Sequence, residues 1–244
     1  MTDARRESLL VGAGGGLLGA AVGRAVLGGT AGVLLGGVVG VATGGVSGRR
    51  RIYDWRSPTG VTAFVLDSSW SLGNTAAGLV SHAAGAARGR AGFVPALSAR
   101  ANRHVYRRGF QPRSGFAITL GNVISGAGDA DVPRRAKLVT DHEDVHVWQA
   151  RWFGPAYPVL YLGWMAGGAV AGSALWLRGG RERSLWQTVE SCGYYLNPFE
   201  WWAYSRDDHW PPSGKVPGLG WDRPLVRSFA GRRATDPARG NAGD

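Results

Sequence analysis

The chain has a single cysteine, Cys192, among its 244 residues. An internal disulfide framework is therefore excluded. Acidic residues are also scarce, 17 Asp and Glu against 28 Lys and Arg, which leaves a net charge of +11. An excess of that size suits nucleic acid or an anionic membrane surface. The sequence lacks a helix-turn-helix, a Cys/His finger and an aromatic RNA-binding signature, and its arginines are spread over several stretches instead of one tract, so no nucleic-acid partner is expected. Charge itself is missing from two long runs. Residues 9–47 carry only Arg24, and residues 156–177 carry none. Runs of this length and composition are membrane-grade, and a lipid membrane is the partner they imply.

The first run is filled with glycine. Gly28, Gly32, Gly36, Gly40, Gly44 and Gly48 recur at every fourth position, and Gly15, Gly19 and Gly23 precede them in the same rhythm. Spacing by four puts small residues on one helical face, where they let two backbones approach closely in lipid. The intervening residues are Val, Leu and Ala, not the serines of a flexible linker. The pattern resembles a glycine zipper and predicts either a membrane helix over 25–47 or a helical hairpin that also uses 9–23. A second copy of the chain, a homo-oligomer through the glycine-rich helix, is a further partner such a face would take. Arg5 and Arg6 before the run and Arg49, Arg50 and Arg51 after it read as a retained segment with both ends in the cytoplasm. The expected organisation is a glycine-zipper membrane segment at 1–51, a folded domain at 52–225 with a hydrophobic insertion at 156–177, and a disordered tail at 226–244.

The most informative stretch is Thr140-Asp-His-Glu-Asp-Val-His-Val-Trp-Gln149, in which His142, Glu143 and His146 spell H-E-x-x-H. Two histidines four apart on a helix stand one above the other, within reach of one zinc ion, and Glu143 beside them can take a proton as general base. With five His and five Glu in the chain, chance placement yields roughly 0.002 such matches. Thr140 with Glu143 is also a capping box, which accounts for Glu143 but for neither histidine.

A catalytic zinc needs a third protein ligand. Only Glu182, Glu190 and Glu200 follow the motif as glutamates, and Glu182 lies in an arginine-rich stretch. Glu200 is preferred to Glu190 because Asn197-Pro198 opens a helix on which Ala203, one turn on, allows close packing. The same position suits a capping-box carboxylate reaching back to Asn197. Tyr204, one turn beyond, and His209 are the candidate donors to an oxyanion.

The pair H-E-x-x-H and a distant E-x-x-A resembles the gluzincins, zinc metallopeptidases whose third ligand is a glutamate on a second helix. With Gly-Asn-Val-Ile upstream, Gln149 after the second histidine and Gly-Pro just beyond, residues 60–205 are similar to bacterial membrane-associated metallopeptidase-like proteins. The resemblance implies a mainly helical α+β, zincin-like domain with a small β element, His142, His146 and Glu200 as Zn2+ ligands, Glu143 as general base, a peptide or protein substrate, and a place in a bacterial cell membrane; the basic flanks and the arginines of 86–113 and 178–183 put the catalytic domain in the cytoplasm. The chain departs from the thermolysin-like pattern in having no acidic residue four after Glu200. The group that orients a ligand histidine is left open among Asp141, Asp144, Asp207 and Asp208.

Elsewhere, Val61–Leu66 is β-branched and aromatic and predicts a strand, with Asp67 and Ser68 capping a helix near 73–88. Residues 86–113 read as an arginine-rich solvated or headgroup-facing surface, and His82, on the preceding helix, as a packed or solvated residue and not a ligand. Phe116, Ile118 and Leu120 alternate as in a strand, with Gly121-Asn122 turning into Val123-Ile124. By the resemblance, that strand is where an extended substrate would add to the sheet edge. The run 156–177 poses a conflict: a single membrane crossing would part Glu200 from the histidines. A re-entrant hairpin, or a helix pair buried in the domain, resolves it.

Overall fold

A computed structural model describes residues 2–87, 92–111, 115–178 and 184–206. The first run folds as two helices, α1 (Asp3–Leu27) and α2 (Gly29–Arg49), reversed at Gly28 and Gly29, whose φ values of 73° and 56° are conformations that side chains rarely tolerate. The glycines of the two helices face each other. A Cβ added at Gly23 would lie 1.9 Å from the Gly32 carbonyl oxygen, at Gly36 2.0 Å from that of Gly19, and at Gly40 2.0 Å from that of Gly15. The zipper thus closes within one chain, glycine of α1 against glycine of α2. The hairpin alternative is the one adopted, and it sets both arginine-flanked ends on the same side. There Glu7 accepts from Arg100 at 2.6 and 2.7 Å and from the Trp55 indole at 2.8 Å, with Arg51 3.4 Å away.

Val61–Leu66 is not a strand. It lies within α3 (Pro58–Ser68), which begins where the Ser57 hydroxyl accepts from the Gly60 N–H and Pro58 takes the first turn. The Ser-Pro start and packing of Ala63 and Phe64 against Tyr53 and Val11 outweigh β-branched propensity. Nor does Asp67 act as a cap. It is buried at the end of α3 and takes a two-pronged ion pair from Arg151 at 2.8 and 2.9 Å, with Tyr53 and Asn122 also donating. Stranding either charge of such a pair costs about 3–5 kcal/mol, so this network locks α3 to the metal-motif helix.

Next come α4 (Leu72–Ala87), α5 (Pro95–Ser98) and a small sheet of β1 (His104–Val105), β2 (Ile118–Leu120) and β3 (Val123–Ser125). The order is β1-β3-β2, with β1 parallel and β2 antiparallel to β3. The predicted turn at Gly121-Asn122 joins β2 to β3, and β2 is left as an edge strand. Val94, Val105, Ile124, Ala127, Val139 and Val147 form the core beneath it. The predicted arginine surface at 86–113 is in part structural: Arg100 holds Glu7, Arg103 is buried against Asp144, and Arg107 pairs with Asp129 and Asp131. His82 and His104 are packed edge to face at 4.5 Å, with His104 bonded to Ser47 of α2.

The chain then enters α6 (Pro133–Lys137), which runs into a π-helical turn at 138–143 and then α7 (Asp144–Phe153). After it, α8 (Ala156–Leu177) is one unbroken helix. It neither bends at its glycines nor sinks into the domain: only Gly172 is buried, while Val159, Leu162, Val170 and Leu177 are exposed. Among the described residues three helices, α1, α2 and α8, are long and apolar enough to cross a membrane. The return that the sequence placed inside 156–177 is made by the residues after it. The segment from Ser184, with α9 (Leu185–Glu190) and a π-helical turn at 191–195, runs back along α8, so that Thr188 faces Gly172, Cys192 faces Gly168 and Asn197 reaches Tyr161. The chain arrives at α10 (Pro198–Tyr204) beside the foot of α8, which removes the conflict.

The architecture is α+β and mostly helical. Three short strands in this order do not make the zincin fold that the resemblance implied. His209 and the 226–244 tail lie outside the described residues, as do Glu182, Asp207, Asp208, Trp210 and Trp221.

Candidate metal centre

The histidines are delivered by a helix with a register change. His142 is the last residue but one of the π-helical turn and His146 the third of α7; their Nε2 atoms are 3.3 Å apart. π-turns inside α-helices are frequent at functional sites. Glu200 comes from α10, started as predicted by Asn197, whose side chain accepts from the Phe199 N–H, with Pro198 in the first turn. Its carboxylate does not reach back as a capping box. It points between the imidazoles, with Oε1 3.3 Å from His146 Nε2 and Oε2 3.5 Å from His142 Nε2. Glu190 is not in the cluster. Glu200 is 2% exposed, His142 3%, and His146 and Glu143 6% each.

These three separations test whether the residues fit a metal. Four-coordinate zinc with bonds of about 2.0–2.1 Å sets its ligand atoms about 3.3–3.4 Å apart. The imidazole nitrogens meet that spacing at 3.3 Å, each faces one oxygen of the Glu200 carboxylate at 3.3 or 3.5 Å, one ligand atom from each residue lies within 4.8 Å of the other two, and Glu200 Oε2 has no hydrogen-bond partner among the described residues. His142, His146 and Glu200 can hold a metal ion. The electrostatics favour a cation. Burial alone would push the His146 imidazole down, but the Glu200 charge holds it up, at about 9. Burial would likewise raise Glu200, yet the two histidines hold it well below the usual carboxylate range.

The group that orients His146 is not one of the aspartates left open in the sequence. His146 Nδ1 lies 2.8 Å from Gln149 Oε1, whose amide group donates to the Phe199 carbonyl at 2.9 Å. Gln149 thus fixes the tautomer that turns His146 Nε2 toward the cluster. Asp141 and Asp144, the acidic candidates, are engaged elsewhere: Asp141 with Lys137 and Thr140, Asp144 with Arg103. The spacing of three between His146 and Gln149 was a readable signal; a glutamine orients an imidazole as a carboxylate would.

Glu143 stands apart from the ligand triangle. The Thr119 hydroxyl, on edge strand β2, donates to its Oε2 at 2.7 Å. Tyr204 packs edge to face on the His142 ring at 4.5 Å. Burial and the nearby Glu200 charge raise its hydroxyl above the ordinary tyrosine range, so it remains a neutral donor. Around the cluster Tyr157 and Tyr161 on α8 complete an aromatic wall, Tyr161 donating to Glu200 Oε1 at 2.6 Å.

Compared with protein-family models, curated proteins and solved structures, the chain matches none.

Proposed function

We propose that the chain is a membrane-associated zinc-dependent peptidase, working at the cytoplasmic face of a bacterial membrane. The observation that carries the reading is the ligand triangle beside a glutamate that is not part of it. Two His and one Glu are a catalytic zinc set, and a bound ion of that kind acidifies water and polarises a carbonyl. In the protein's own residues, Glu143 takes up a proton at the carboxylate oxygen that Thr119 does not occupy, and Thr119 keeps it turned. Tyr204, held neutral, is the donor for charge that develops on a carbonyl oxygen. A substrate strand laid along the free edge of β2 would pass next to Glu143, since Thr119 is the middle residue of that strand. The basic flanks of the N-terminal hairpin, gathered on the domain side, support the cytoplasmic placement.

A second reading is favoured by burial. Structural zinc sites are closed, and all four residues here are largely shielded, so the cluster would serve as a non-catalytic clasp between α7 and α10. One substitution separates the two. Glu143→Gln should keep zinc and the fold while peptide-library cleavage falls about 10²–10⁴-fold. Equal cleavage by wild type and variant would remove Glu143 from the mechanism; cleavage by neither, at full zinc, would establish the clasp.

A further inference from the structure

Of the two oxygens of Glu200, one is tethered and one is not. Oε1 accepts from the Tyr161 hydroxyl at 2.6 Å, while Oε2, 3.5 Å from His142 Nε2, lacks a hydrogen-bond donor among the described residues. A buried carboxylate left to itself can rotate about its last bond and offer either oxygen or both. A single strong donor on one oxygen removes that freedom. The tether is itself anchored, because Asn197, which caps the helix carrying Glu200, donates to the Tyr161 carbonyl at 3.3 Å. The neighbouring hydroxyls do something else. Tyr157 lies 3.3 Å from His146 Nδ1, where Gln149 is closer at 2.8 Å, and Tyr204 packs on the His142 ring.

We propose that Tyr161 is a positioning residue for the metal: by holding Glu200 Oε1 it fixes the turn of the carboxylate, with Oε1 toward His146 and Oε2 toward His142, and so makes metal affinity depend on where the membrane-grade helix α8 stands. This rests on His142, His146 and Glu200 being the ligands. A side chain on a helix whose surface is otherwise apolar and largely exposed thereby sets the geometry of a ligand 39 residues later.

The test uses the full-length protein in detergent, stripped of metal and titrated with zinc against a chromophoric chelator. Tyr161→Phe keeps the ring and removes only the hydroxyl. It should weaken zinc binding by about 10–100-fold, shift the visible spectrum of the cobalt-substituted protein, and leave the melting temperature of the metal-free protein unchanged. Replacing Tyr161 by 4-aminophenylalanine, which donates from the same place, should restore the affinity. In a Glu200→Asp background, where the shortened carboxylate no longer meets the hydroxyl, Tyr161→Phe should change zinc binding less than about twofold. Affinity within about twofold of wild type for Tyr161→Phe alone, or the same loss in both backgrounds, overturns the proposal. A wild-type protein that takes up no zinc overturns instead the ligand assignment beneath it.

Discussion

Two antiparallel helix pairs in this molecule are closed by glycine, and they differ in what the closure is for. In α1–α2 the contact runs backbone to backbone over Gly15/Gly40, Gly19/Gly36 and Gly23/Gly32 and ends in a glycine reversal. In the second pair, α8 against the 184–195 segment, Gly168 and Gly172 receive the backbone of Cys192 and of Thr188–Val189, and the returning chain goes on to Glu200. The first pair shapes a hairpin long and apolar enough to cross a membrane and carries none of the cluster residues. The second brings Glu200 to the two histidines.

The sharpest break in that comparison comes from removing the ligand on one side and the closure on the other. Glu200→Ala should reduce bound zinc from about one per chain to almost none. Gly36→Leu, whose side chain would run into the Gly19 carbonyl 2.0 Å from its Cβ, should part α1 from α2 and leave the zinc in place. Elemental analysis with thiol cross-linking between the two arms reads both. Zinc lost in Gly36→Leu would mean that the hairpin supports the site after all.

A smaller effect sharpens the second pair alone. At Gly168 an added Cβ would sit 2.4 Å from the Cys192 carbonyl oxygen, whereas at Gly163, on the same helix, it meets nothing within 4 Å. Gly168→Leu should therefore push the returning segment outward and weaken zinc binding by about 10-fold or more, the size expected when a ligand's support is disturbed. Gly163→Leu should bind as wild type. Equal affinities in a chelator titration would show that α10 holds Glu200 without help from α8.

The smallest effect concerns how the first pair is attached. Where α2 meets the domain, Arg50 lies 3.2 Å from His82 Nδ1 and 3.4 Å from His104 Nδ1, with Tyr106 bonded to His82 and Ser47 to His104. Burial and the Arg50 charge push His82 from its ordinary 6.5 down to about 3, and burial also pushes His104 down. The unfolded chain then takes up the proton first. The stability that neutral His82 contributes is complete above about pH 6.5 and is lost progressively as the pH falls toward 3. Denaturant titrations of the metal-free protein should show this fall, with a shallower slope in His82→Gln. An identical slope would mean that His82 titrates normally.

What the sequence determined is what depends on local spacing. Histidines four apart meet on any helix, glycines four apart make a face that accepts a backbone, alternation marks β2, and Asn197-Pro198 starts a helix; each signal spans a few residues and was legible. The same local logic failed at Val61–Leu66, where Ser57-Pro58 and the contacts of Phe64 overrode β-branched preference, and at Asp67, whose partner Arg151 is 84 residues away. Only the tertiary structure decided that the glycine faces meet within one chain, that Glu200 and not Glu190 completes the triangle, that the chain returns along α8 instead of folding within it, and that Gln149, Thr119 and Tyr161 orient the site. Most of these are contacts between segments far apart in sequence, or choices among chemically similar residues, and they are fixed by how helices pack at distances that composition and periodicity do not contain.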